Sequence, residues 1–134
     1  MRFEILAAYV IGILLPVLET CRRGFGHWTI NTMTMLEDYA GGGLLLLAAV
    51  LTTRGRRSAG QWLLVAWSAV SAMMALSFLH HLEETLRGED VEPNNSVVLA
   101  FKILLLVTSL VALILSFRHA RGDGPSSASS KVGP

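Results

Sequence analysis

Hydrophobic residues fall along the chain in four long runs, each nearly free of charge. Ile5 to Leu18 carries no charged side chain, Leu44 to Leu51 is wholly apolar, Trp62 to Leu79 is uncharged, and Val97 to Phe117 is broken only by Lys102. A helix needs roughly 20 apolar residues to cross a hydrocarbon core, with snorkelling polar residues tolerated at its ends. The pattern therefore predicts an all-α fold: four transmembrane helices at about residues 3–20, 33–53, 62–82 and 97–117 in one domain over 1–120. The short joins predict an antiparallel, up-down-up-down four-helix bundle. Pro16 lacks an N–H and is expected to bend the last turn of the first helix.

The connections have different characters. Arg54-Gly55-Arg56-Arg57-Ser58-Ala59-Gly60 is short and basic; Cys21 to Thr32 is longer and mixed; Gly88 to Ser96 is acidic with strong turn residues. From 121 to 134 the chain is dominated by Gly, Ser and Pro, with Lys131 and almost no apolar content, and reads as a flexible polar tail. Arg2, Arg54, Arg56, Arg57, Arg118, Arg121 and Lys131 fall on one side of the predicted bundle, and Arg22, Arg23 and Arg87 on the other. Basic residues favour the cytoplasmic face, so both termini and the second loop are expected inside, in a multi-pass protein of the inner (plasma) membrane. Trp28, Trp62 and Tyr39 suit interfacial anchors.

Composition agrees with the pattern. Of 134 residues, 52% are hydrophobic and 16% charged, against about a quarter charged in soluble domains. The single cysteine, Cys21, excludes an intrachain disulfide and a cysteine-based zinc cluster. Leu18-Glu19-Thr20-Cys21 bears a faint likeness to a bacterial lipobox, but Glu19 and Thr20 suit cleavage poorly. The first span is expected to be retained.

Depth along the helices brings in the chemistry. At about 1.5 Å rise per residue, Glu19 lies roughly 24 Å along its helix from Phe3, His80 roughly 27 Å from Trp62, and Lys102 roughly 22 Å from Phe117. Glu37 reaches a similar level on the second helix, with Asp38 and His81 as immediate neighbours. All four helices thus carry an ionisable group near the expected outer leaflet. Three readings are open: boundary marking at helix ends, a packing network in which Lys102 pairs with Glu19 and Glu37, or a site. As a site, His80, His81 and Glu84 together with Glu19, Glu37 and Asp38 offer a mixed nitrogen and oxygen shell for a transition metal ion. The order is the reverse of the Glu-x-x-His of di-iron bundles. A haem bridging two copies through His80 or His81 is the remaining cofactor arrangement. Cys21 beside Arg22 and Arg23 has the surroundings of a reactive thiol, or the arginines bind lipid phosphate.

Small residues point to close packing. Ser68, Ser71, Ala72 and Ala75 form a stripe on the third helix, and Gly41, Gly42 and Gly43 a smooth patch on the second. Met33, Met35, Met73 and Met74 read as gap-fillers rather than copper ligands. The chain holds no phosphate loop, dinucleotide fingerprint, HExxH or nucleophile elbow. The expectation is a non-enzymatic membrane subunit or homo-oligomer tied by a Glu/His/Lys layer. The alternative is a metal- or proton-handling protein, either a transporter or a small metalloenzyme. The expected partners are the lipid bilayer and further membrane chains or copies, with no nucleic acid.

Overall fold

A computed structural model describes residues 1–29, 32–56, 58–88 and 95–122. Helix α1 spans Phe3–Arg23, α2 Thr32–Thr53, α3 Ala59–Arg87 and α4 Asn95–Gly122, with a short 3-10 turn at Phe25–Thr29 between the first two. All four helices are long and apolar enough to cross a membrane. The acidic turn at 89–94, Arg57, and the tail from 123 onward lie outside the described residues.

Helices α1, α3 and α4 outrun their expected spans. α3 continues five residues past 82 to Arg87, because the added turns carry their own support. Arg87 pairs with Glu83 and His80 with Glu84, both four residues apart, a spacing that places side chains side by side on a helix. Gly88 then ends the helix in the left-handed conformation at φ +68°, which a Cβ disfavours. α4 runs through Arg121 to Gly122, taking in the first residues of the expected tail. α1 passes through Pro16 and stays helical to Arg23.

The helices pack chiefly as α1 on α2 and α3 on α4; α2 also meets α3, and α1 meets α4 less closely. A hydroxyl contact marks each end of the first pair: Tyr9 Oη to Thr53 Oγ1 at 3.2 Å, and Thr20 Oγ1 to Tyr39 Oη at 2.6 Å. Between them the backbones nearly touch. A Cβ on Gly42 would stand 2.6 Å from the Gly12 carbonyl oxygen and 2.9 Å from Pro16 Cδ; one on Gly12 would stand 3.0 Å from the Gly42 carbonyl oxygen. Pro16 has no N–H to offer the Gly12 carbonyl four residues back. That oxygen instead faces the Gly42 backbone, where a Cα hydrogen fills the place of a side chain. Of the glycine patch, Gly41 meets Met73 and Gly43 faces open space.

The core follows helical periodicity. On α1 the inward row is Glu4, Ala8, Ile11, Leu15 and Glu19, all buried. α2 contributes Leu45, Ala48 and Ala49, and α3 contributes Leu63, Ala66, Trp67 and Val70. Trp67 is fully buried, and its Nε1 donates to the Glu4 carbonyl at 3.2 Å. On α3 the small-residue stripe divides: Ser71 is buried, while Ser68 and Ala72 face outward. Met35 and Met74 are buried, Met73 packs on Gly41, and Met33 is exposed. α4 buries only a narrow row, Ser109, Ala112 and Ser116, and presents Val107, Leu110, Val111 and Ile114 outward.

Candidate functional site

Each wall of the candidate site comes from a different helix. Near the end of α1, Glu19 continues the buried row and is 9% exposed. Glu37 and Asp38 occupy the second turn of α2, where Glu37 is exposed and Asp38 half-buried. Lys102 lies about two turns into α4, half-buried, and donates from Nζ to the Ser77 carbonyl of α3 at 3.2 Å. These four charged side chains line one cleft of about 370 Å³. Its remaining walls are apolar: Leu15 and Leu18 of α1, Met73 and Met74 of α3, and Val97, Val98, Phe101 and Leu105 of α4. The cleft opens beside the seam between α1 and α4, which pack less closely than α1 with α2 or α3 with α4.

Electrostatics shape what the cleft can do. Among the described lining residues, three carboxylates stand against one ammonium. Charges in apolar surroundings interact strongly because solvent screens them poorly, and each must be compensated to be held there. The Ser77 carbonyl accepts from Lys102 Nζ and orients the ammonium toward α3. The arrangement suits holding helices in register or receiving a polar group presented by another chain.

No known protein family, curated protein or solved structure matches this chain.

The expected layer divides in the structure. Glu19, Glu37, Asp38 and Lys102 share the cleft, while His80 and His81 are not among its lining residues. His80 is largely exposed, with Nε2 3.3 Å from Glu84 Oε1; His81 Nδ1 lies 3.7 Å from Glu84 Oε2. His81 Nε2 is buried and has no hydrogen-bond partner among the described residues. Among the described residues, no three His, Cys, Asp or Glu side chains stand close enough together to hold a metal ion. Cys21 is exposed.

A second polar group was not foreseen in the sequence. Glu4 is 1% exposed at the start of α1, with His119 Nδ1 2.9 Å and Arg2 Nε 3.9 Å from its Oε1. His119 Nδ1 is also 2.9 Å from the Leu115 carbonyl, and it is toward that oxygen that the hydrogen-bond geometry is satisfied. Glu4 Oε1 itself has no hydrogen-bond partner among the described residues. A signal was present: Glu4 sits in helical register with Ala8, Ile11 and Leu15, and so falls on the face that must be buried.

Proposed function

We propose that the chain is a small, non-enzymatic integral membrane protein, acting as a membrane subunit or as a homo-oligomer. In this reading the bundle is antiparallel, with both termini and the 54–58 connection on the cytoplasmic side of the inner membrane. The cleft then lies near the outer leaflet, where it ties the helices together and meets a partner chain. One observation carries the reading: charged side chains of α1, α2 and α4, with a backbone carbonyl of α3, meet at one cleft whose other walls are apolar. A polar cluster of this kind, with Glu19 buried and Asp38 and Lys102 half-buried, can fix register and partner choice. The outward face of α4 supports the same reading. Its span has a mean hydropathy of 2.8, yet only 11% of that window is buried within the single chain. It is therefore available to lipid or to another helix.

The test is purification in mild detergent followed by native mass spectrometry and elemental analysis. The expected result is a defined oligomer or a co-purifying membrane chain, disrupted by Lys102→Glu and preserved in His80→Ala/His81→Ala. A strict monomer with a stoichiometric transition metal, lost in the double histidine variant, would overturn this reading. It would favour the metal-handling alternative instead.

A further inference from the structure

The Glu4 group lines a cavity of its own, of about 160 Å³, separate from the cleft. Arg2, Glu4, Thr52, Arg56, Ser116 and His119 supply its polar lining. Two of these place buried polar atoms there that have no hydrogen-bond partner among the described residues: Glu4 Oε1 and Ser116 Oγ. Glu4 Oε1 has His119 Nδ1 at 2.9 Å and Arg2 Nε at 3.9 Å, but neither makes a hydrogen bond to it, and His119 is spent on the Leu115 carbonyl. A buried carboxylate oxygen in that state is costly, and a ligand that brings a donor relieves it. Arg2 and Arg56 bring donors of their own; Arg2 stands 3.9 Å from Glu4 Oε1 without a hydrogen bond to it, Arg56 adds a second guanidinium, and the two call for an acceptor. Two guanidiniums against one carboxylate favour an anionic group beside a cationic one. The cavity lies where α1 begins and α4 ends, against the connection between α2 and α3. In a chain whose four helices cross a bilayer, that is headgroup depth.

We propose that this cavity binds the phosphoethanolamine headgroup of a bilayer lipid. The primary ammonium supplies charge-assisted hydrogen bonds to Glu4 and Ser116. The phosphodiester takes the planar donors of Arg2 and Arg56, which suit phosphate geometry. Ile114 and Phe117, both exposed on the same end of α4, offer an apolar surface for the acyl chains. A choline headgroup has the same charges but no N–H, and a glycerol headgroup has hydroxyl donors but no cation. The inference rests on the membrane-spanning reading and not on the cleft.

The test is native mass spectrometry of the full chain, released from micelles holding equal amounts of ethanolamine, choline and glycerol phospholipids with identical acyl chains. The wild type retains the ethanolamine lipid several-fold over the choline lipid. Glu4→Gln brings that ratio close to one while keeping total lipid retention. Arg2→Ala with Arg56→Ala lowers retention of all three several-fold. Should Glu4→Gln fail to fold, competition on the wild type replaces it: free phosphoethanolamine displaces the bound lipid and phosphocholine does not. Equal retention of ethanolamine and choline lipids, preference for the glycerol lipid, an unchanged ratio in Glu4→Gln, or displacement by both soluble headgroups each overturns the proposal.

Discussion

Trp67 combines a fully buried ring with a hydrogen bond from α3 to the first turn of α1. Trp67→Phe removes the donor and some volume, and is expected to lower stability by about 1–3 kcal/mol. Trp67→Ala leaves a cavity and should cost about 3–5 kcal/mol. Reversible unfolding in mixed micelles checks both, and a Phe variant as stable as wild type would show that the bond contributes nothing. His80 behaves differently. Its pair with Glu84 is largely solvent-exposed, where screening leaves ion pairs about 0–1 kcal/mol. His80→Ala should therefore melt with the wild type. At this scale the sequence showed depth but not direction. Rise per residue is fixed, so Glu19, Glu37, Asp38 and Lys102 could be placed at one level by counting. His80 sits at the same level, but the direction in which its side chain points depends on which face of α3 meets its neighbours, and counting along one helix does not reveal that. Glu4 was missed for a related reason, since a charge at a helix end reads as ordinary boundary marking until its buried register is noticed.

Among elements, α1 and α2 are bound by shape more than by polarity. The Gly12 and Gly42 backbones approach until each carbonyl faces the other's Cα, so a methyl at Gly42 has no room. Overpacking of this kind costs about 1–3 kcal/mol, and Gly42→Ala is expected to fall in that range. Gly43→Ala, one residue along and facing open space, should be tolerated; the contrast between the two in a thermal melt is the measurement. The glycine run was visible in the sequence, but the residue in contact was not, because it is selected by the crossing point of two helices. The helices themselves were legible because each rests on a local apolar window. The extra turns of α3 rest on Arg87–Glu83 and on Gly88, and these belong to soluble-helix rules rather than to hydropathy.

Across the whole molecule, the inward rows of α1 and α4 are complementary. α1 carries Glu4 and Glu19 at the two ends of its buried row. α4 carries Lys102, Ser109, Ala112, Ser116 and His119 at spacings that keep them on one face. Glu19 and Lys102 share the cleft, and Glu4 meets His119 at the other cavity. Exchanging the charges, Glu19→Lys with Lys102→Glu, should recover part of the stability lost in either single variant. A double-mutant cycle reads this coupling, and strict additivity would show that the two residues act independently.

Between the two polar ends the bundle is filled by Ala8, Ile11, Leu45, Ala48, Ala66 and Val70, packed around Trp67. These aliphatic side chains carry no group for a Grotthuss relay, and the bundle is expected to be tight to protons. Liposomes reconstituted with the purified chain should hold an imposed acid gradient as long as empty ones do, and a dye-reported leak would mean that this filling opens.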